Sequence, residues 1–132
     1  MADSHRPLSP HLTIYKPQIS SILSILHRLT GIGLCIGLPL LVWFFGELAF
    51  GDWENSLFKA FLLSWFGKLA LVGWTFCLMY HLCNGIRHLL WDTGWGFHLP
   101  QMRLTGWIVV ISSLLLTAGI WVGVAIRGGL SL

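Results

Sequence analysis

A first cluster of polar side chains leads into the first long apolar stretch of the sequence, at residues 20–28. If this segment is helical, Ser24 lies three residues before His27 and four before Arg28, so the three side chains can share one broad face. That face would present a hydroxyl, an imidazole and a permanent cation to a ligand at the rim of a membrane. The spacing also fits a snorkelling arginine with serines that bond back to their own helix.

A second cluster, at residues 80–88, places His81, Gly85 and His88 at positions i, i+4 and i+7. Such residues lie on one face of a helix, and seven residues rise about 10 Å. A flat haem could take His81 as an axial ligand and lie against Gly85, since histidine commonly ligates haem iron. Its propionates would then point towards Arg87 or His88. The alternative is that His81 forms a hydrogen bond to a neighbouring helix.

A haem with two histidine ligands needs a second donor, and no other histidine lies deep in a predicted span. If haem is present, the second ligand must therefore come from another chain. The three cysteines show no CxxC spacing and are interpreted as small apolar side chains, which predicts neither a disulfide framework nor an iron–sulfur site. They are Cys35, Cys77 and Cys83.

The elements that position these clusters are expected to lie in a membrane. Of the 132 residues, 55% are hydrophobic and 10% charged, whereas soluble domains carry roughly 25% charged residues. The net charge is only +3 and the basic residues form no run, so a nucleic-acid partner is not expected. The composition therefore indicates a membrane protein in contact with the lipid bilayer.

Three uncharged stretches are each long enough to cross the hydrocarbon core. They lie between Arg28 and Glu47, between Lys68 and Arg87, and between Arg103 and Arg127. Continuous apolar runs exclude the alternation of a barrel, which leaves helices. We therefore expect an all-α membrane protein with three transmembrane helices, forming part of a multi-chain helical bundle. The predicted spans are 25–48, 60–90 and 104–127, within one anchor domain over residues 1–132.

The polar segments predict a tail and an orientation. Prolines at 7, 10 and 17 favour an extended tail over residues 1–20, and residues 51–55 suit a short turn. Five basic residues against three favour an N-terminus inside. The inner five are Arg6, Lys16, Arg28, Arg87 and Arg103; the outer three are Lys59, Lys68 and Arg127. The first residues resemble neither a signal peptide nor an Arg-rich transit sequence.

Three stretches together resemble the cytochrome b (large membrane-anchor) subunit of succinate dehydrogenase, respiratory complex II. They read RPLSPHLTIY at residues 6–15, SILHRLTG at 24–31 and HLCNGIRHLLWD at 81–92. The family motifs have the form SxxHRxTG and HxxNGxRHLxWD, and both occur here in the expected order. The resemblance covers nearly the whole chain, whereas the third span matches only in being apolar.

The resemblance implies roles for individual residues. It makes His81 an axial ligand of haem b and places Ser24 and Arg28 at the ubiquinone pocket. It also places His27, Arg28 and His88 near the haem propionates. The implied partners are a flavoprotein, an iron–sulfur protein and a small anchor that supplies the other haem ligand. Electrons from succinate would pass through flavin and iron–sulfur clusters in partner chains to ubiquinone, while this chain would perform no succinate chemistry itself.

The resemblance also implies a location, and alternatives to it remain open. A tail close to the mitochondrial form but without a presequence favours the inner membrane of an alphaproteobacterium over the mitochondrial inner membrane. One alternative is the anchor of a quinol:fumarate reductase, which runs the reaction in reverse. Another is a haem-free membrane scaffold or small transporter subunit. A self-contained cytochrome b is disfavoured, because it would need paired histidines within this chain.

Overall fold

The computed structural model describes residues 16–128, which contain helices and no strand. The helices are α1 (Ile19–Phe50), α2 (Leu57–Leu63), α3 (Trp65–Asp92) and α4 (Leu99–Ile126), with a 3₁₀ turn at Trp53–Asn55. Three of them, α1, α3 and α4, are long and apolar enough to cross a membrane. A helix satisfies its backbone hydrogen bonds internally, as the hydrocarbon core requires. The expected all-α membrane fold with three spanning helices is confirmed.

The helices begin earlier than the charge-free stretches predicted. Helix α1 starts at Ile19 rather than near residue 25, and α4 starts at Leu99 rather than at 104. Polar residues at the membrane rim can be part of a helix. Pro100 suits the first turn of α4, because backbone N–H groups in the first turn have no carbonyl partner within the helix. Most of the predicted tail, residues 1–15, lies outside the described residues, and residues 16–18 are not helical.

The second predicted span, 60–90, needs correction at its beginning. The helix is interrupted at Ser64. Residues 57–63 therefore form the separate helix α2, and the long helix α3 starts at Trp65. The Ser64 hydroxyl caps α3 by accepting a hydrogen bond from the Gly67 N–H at 3.1 Å. A side chain at Gly67 would collide with the backbone of Phe61 and Leu62, so glycine permits this tight corner.

Helix α3 lies between α1 and α4 and packs against both. The buried apolar core within the described residues consists of Leu23, Tyr80 and Val109, one from each long helix. The Tyr80 hydroxyl donates a hydrogen bond of 2.9 Å to the Leu23 carbonyl and thereby joins α3 to α1. Most other large apolar side chains point outward. This is expected of helices whose surroundings are lipid and other membrane helices.

Candidate functional site

Helices α1 and α3 bring together three histidines from the two sequence clusters. The His27 ring stacks on the His81 ring with centroids 3.9 Å apart and on the His88 ring with centroids 5.0 Å apart. Helical spacing predicted that His81 and His88 share a face of α3. It did not predict that His27 of α1 would lie between them, because that contact depends on how the two helices are rotated against each other.

The His81 ring is oriented through its Nδ1 atom. Nδ1 lies 3.2 Å from the His27 carbonyl oxygen and 3.4 Å from the Thr30 hydroxyl oxygen. A carbonyl oxygen can only accept, so this contact assigns the proton to Nδ1 and leaves the lone pair on Nε2. A metal-bound histidine commonly donates its other N–H to such an acceptor. The contact therefore leaves Nε2 as the His81 atom that could hold a metal, and its role as a haem ligand stays a prediction.

Two further features of this face fit a haem group. A Cβ atom built at Gly85 would meet nothing within 4 Å, so the side of α3 beside His81 is open. The His27 Nδ1 atom is buried and has no hydrogen-bond partner among residues 16–128. A buried polar atom without a partner is costly, and a polar group of a bound cofactor would satisfy it. The residues present therefore fit a haem that approaches His81 along Gly85.

The stacked geometry also bears on the second haem ligand. Two histidines that together held one haem would need room for the macrocycle between their rings. The rings of His27 and His81 are nearly parallel, 11° apart, and at 3.9 Å they are too close for a macrocycle to lie between them. His27 and His81 in this arrangement therefore do not hold one haem iron between them, and the source of a second ligand stays a prediction.

A cavity of about 430 Å³ lies next to the histidines, where α1, α3 and the start of α4 meet. Its lining is Ser20, Ser21, Ser24, Ile25, Arg28, Arg87, His88, Trp91 and Met102. The structure thus brings Ser24 and Arg28 of α1 next to Arg87 and His88 of α3. We refer to this cavity as the polar groove. It combines hydroxyls, cations and an aromatic ring, which suits a flat ligand with polar oxygen atoms.

Ser24 and Arg28 make no side-chain hydrogen bond or ion pair within residues 16–128. Ser24 is half-buried, and its hydroxyl makes no hydrogen bond to any residue in the range 16–128. The alternative of a serine bonded back to its own helix therefore does not describe Ser24. Arg28 is exposed, and its guanidinium has no partner in the described chain. Among the residues that the structure describes, neither group has a partner that would compete with a ligand in the polar groove.

His88 connects the polar groove with the histidine stack. Its Nδ1 atom lies 2.8 Å from the Asn84 carbonyl oxygen one turn earlier, so this atom carries the proton. The ring also packs edge-on against Trp91, with centroids 5.2 Å apart. His88 therefore contacts His27 on one side and lines the groove on another.

Arg87 lies largely inside the protein, with 4% of its surface exposed. Its guanidinium donates to the Thr105 hydroxyl at 3.1 Å and to the Met102 carbonyl at 3.0 Å, and it lies over the Trp91 ring at 4.1 Å. Asn84, fully buried, accepts a longer bond of 3.5 Å from it. Arg87 thus joins α3 to α4 as well as lining the groove, and its contact with haem propionates stays a prediction.

Sequence reasoning assigned no role to Thr30, Gly31 and Asn84, although all three are fixed positions of the two quoted motifs. Thr30 is buried, and its hydroxyl donates a 3.0 Å bond to the same His27 carbonyl that His81 contacts. Thr30 and Gly31 lie three and four residues after His27, so helical spacing places them on its face. That spacing and the motif positions were the available signals, but their proximity to His81 depends on the packing of α1 against α3.

Comparison with known proteins identifies relatives over almost all of the chain. A family model described as the succinate dehydrogenase/fumarate reductase transmembrane subunit matches residues 2–120. The succinate dehydrogenase cytochrome b556 subunit of Rickettsia typhi is 50% identical over 120 residues, covering 89% of this chain and 91% of the relative.

Eukaryotic relatives are similar over a comparable length. The succinate dehydrogenase cytochrome b560 subunit of Marchantia polymorpha is 41% identical over 118 residues and covers 85% of each chain. The mitochondrial cytochrome b560 subunit of Mus musculus is 44% identical over 126 residues, covering 89% of this chain and 70% of the relative. The chain therefore belongs to the family of succinate dehydrogenase/fumarate reductase transmembrane subunits.

Proposed function

We propose that this chain is the cytochrome b membrane-anchor subunit of a succinate:ubiquinone oxidoreductase. The observation that carries the proposal is the meeting of α1 and α3 at one place, where His27 stacks on both His81 and His88, and His88 lines a groove together with Ser24 and Arg28. The relatives named above are all succinate dehydrogenase subunits, which favours this reaction over the reverse reaction of a quinol:fumarate reductase anchor. The hydrogen bond from His81 to the His27 carbonyl on α1 is also what a haem-free scaffold predicts, whereas the buried, unpartnered Nδ1 of His27 and the cytochrome b names of the relatives favour a haem.

His81 would hold the haem b iron through Nε2, with the open side of Gly85 against the macrocycle. His27 and His88 would contact its polar edge, since the buried Nδ1 of His27 needs a partner. When bound, the haem supplies one-electron redox chemistry. This chain supplies a histidine fixed in one tautomer and an apolar helical environment. The second axial ligand would come from the small membrane-anchor subunit.

Ser24 and Arg28 would bind ubiquinone in the polar groove. Reducing a quinone to a quinol adds two electrons and two protons, so negative charge develops on its carbonyl oxygens. The Arg28 guanidinium would stabilise that charge, and the effect is strong in a site with little water. The Ser24 hydroxyl would donate a hydrogen bond to a carbonyl oxygen and so orient the ring. The electrons would come from iron–sulfur clusters in a partner chain.

The proposal also includes partners and a location. The flavoprotein and iron–sulfur subunits would dock on the side of the membrane where α1 begins, next to the polar groove. This is the side on which the basic residues predict the N-terminus, the inside of a bacterial inner membrane. The Rickettsia relatives support an alphaproteobacterial membrane.

The decisive experiment is purification of the complex through a tag on this chain. We expect a flavoprotein, an iron–sulfur protein and a second small membrane protein to co-purify, with a reduced-minus-oxidised spectrum of a b-type cytochrome. Succinate should reduce ubiquinone in that preparation. A preparation that assembles without haem and without quinone reduction would contradict the proposal and support the scaffold alternative.

A further inference from the structure

We propose that Thr30 and Gly31 are positioning residues for the His81 imidazole: the Thr30 hydroxyl orients the ring, and the bare Cα of Gly31 makes room for it. Neither residue is expected to touch the iron. The proposal rests on the proposed role of His81 as a haem ligand and adds the groups on α1 that determine how the ring approaches.

Hydrogen bonds at Thr30 orient the His81 ring. Its hydroxyl donates to the His27 carbonyl at 3.0 Å and lies 3.4 Å from the His81 Nδ1 atom, which is itself 3.2 Å from that carbonyl. Because the hydroxyl proton points to the carbonyl, the oxygen lone pairs can face His81. The Nδ1–H is therefore shared between two acceptors. Two acceptors restrain rotation of the ring about χ2 more tightly than one.

Close packing at Gly31 limits the space available to the His81 ring. A Cβ atom at this position would lie 3.2 Å from Cε1 and 3.6 Å from Nδ1 of His81. The first distance is shorter than an ordinary carbon–carbon contact of about 3.5–4.0 Å, so the ring would have to move by a few tenths of an ångström. Movement of the ring towards the face covered by His27 is restricted as well, because the two rings are stacked at 3.9 Å. His81 therefore sits in a slot formed by His27, Thr30 and Gly31.

This arrangement has a consequence for the bound cofactor. The acceptor of a ligating histidine's second N–H raises the basicity of the ligand and fixes the plane of its ring. A more basic axial ligand favours ferric over ferrous iron. Loss of one acceptor should therefore shift the haem midpoint potential to more positive values. A displaced ring plane should change the low-spin EPR signal of the oxidised haem.

The test of Thr30 compares Thr30→Val with Thr30→Ser in the purified complex. Valine matches threonine in shape but lacks the hydroxyl, whereas serine keeps it. We expect Thr30→Val to raise the midpoint potential, broaden the low-spin EPR signal and weaken haem retention by about 10- to 100-fold. Thr30→Ser should restore the potential and the EPR signal towards those of the parent protein. If Thr30 acted only through packing, Thr30→Ser, which lacks the methyl group, would change the potential and the EPR signal at least as much as Thr30→Val.

The test of Gly31 uses Gly31→Ala with Gly46→Ala as a matched control on the same helix. A Cβ at Gly46 would meet nothing within 4 Å, so that substitution should leave the haem spectrum unchanged. Gly31→Ala should shift the low-spin EPR signal and the potential while the complex still assembles. If the Gly31→Ala complex fails to assemble, the comparison of Thr30→Val with Thr30→Ser tests the proposal.

The outcomes separate this inference from the function on which it rests. Suppose that the His81→Ala complex lacks the cytochrome b spectrum, whereas the Thr30→Val complex keeps the midpoint potential and the EPR signal of the parent. The positioning role is then overturned and the proposed function stands. The same holds if Thr30→Val and Thr30→Ser change both quantities equally. If the parent complex contains no haem, both proposals fail.

Discussion

The His27 imidazole of α1 and the His81 imidazole of α3 stack face to face, with their centroids 3.9 Å apart and their planes 11° apart. Two residues separated by 54 positions in the chain thus form one surface inside the predicted membrane region. Because His27 also stacks on His88, it connects the proposed iron ligand with the polar groove.

Replacing the proposed iron ligand should remove the haem signal. We expect His81→Ala to abolish the low-spin bis-histidine spectrum, or alter it strongly, because Nε2 of His81 is the donor that the structure orients. The measurement is the reduced-minus-oxidised spectrum of the purified, assembled complex. His98→Ala, at an exposed histidine before α4, is the control and should leave the spectrum unchanged. An unchanged spectrum in an intact His81→Ala complex would refute the assignment.

Replacing His88 should have a milder effect on the same signal. Its ring lies beside His27 and lines the polar groove, about two helical turns along α3 from His81, so we assign it to the polar edge of a cofactor and His81 to the iron. We expect His88→Ala to retain the bis-histidine spectrum while it changes the haem midpoint potential or the rate of haem loss. Redox titration and haem content measured over time test this. Complete loss of the low-spin spectrum would contradict the distinction between His81 and His88.

Replacing Ser24 or Arg28 should impair quinone reduction selectively. Loss of a charge-assisted hydrogen bond costs about 1.5–3 kcal/mol, equivalent to roughly 10- to 150-fold in rate if the bond acts in the transition state. Ser24→Ala and Arg28→Ala should therefore reduce ubiquinone-linked turnover and leave succinate oxidation by an artificial acceptor largely intact. Arg28→Lys should rescue only in part, because an ammonium lacks the planar fork of the guanidinium.

Both acceptors must be assayed on the same preparations of the Ser24 and Arg28 variants. Arg103→Ala, which removes an exposed cation near the start of α4, is the matched control and should retain turnover with both acceptors. Equal losses with both acceptors would indicate failed assembly. Normal ubiquinone reduction would place the quinone pocket elsewhere.

Replacing Arg87 should destabilise the packing of α3 against α4. Arg87→Met removes the bonds to the Thr105 hydroxyl and the Met102 carbonyl, and each such bond to a charged donor contributes about 1.5–3 kcal/mol. We expect a lower thermal midpoint of the detergent-solubilised complex, and a smaller decrease for Arg87→Lys. Arg127→Met, at an exposed arginine after α4, is the control. Equal midpoints for Arg87→Met and Arg127→Met would show that the buried guanidinium does not stabilise the interface.

Adding a methyl group at Gly37 should disturb the contact between α1 and α3. A Cβ at this position would overlap the Trp74 indole, and such overpacking costs about 1–3 kcal/mol. A Cβ at Gly73 would meet nothing within 4 Å, so Gly73→Ala should be neutral or stabilising by about 0.5–1 kcal/mol through reduced backbone entropy. Thermal midpoints of the two variants test this. A Gly37→Ala complex at least as stable as Gly73→Ala would rule out the tight contact.

Much of the fold follows from local features of the sequence. The length of each uncharged run can be compared directly with the thickness of a bilayer, so three membrane-spanning helices could be predicted without any knowledge of their packing. The interruption of the helix at Ser64 could not be predicted in this way, because residues 57–63 are as apolar as the span that follows. It depends on a serine cap and on the close approach of Gly67 to the end of α2.

The sequence by itself also determined which residues of one helix share a face, such as His81, Gly85 and His88, because 3.6 residues complete a turn. Only the tertiary structure decided which faces meet. The contact of Leu23 with Tyr80 sets how α1 lies against α3, and so brings His27, Thr30 and Gly31 to the His81 ring. Likewise, the packing of α4 directs Arg87 to Thr105. Such contacts depend on complementary surfaces of distant segments, which a periodic pattern within one segment does not encode.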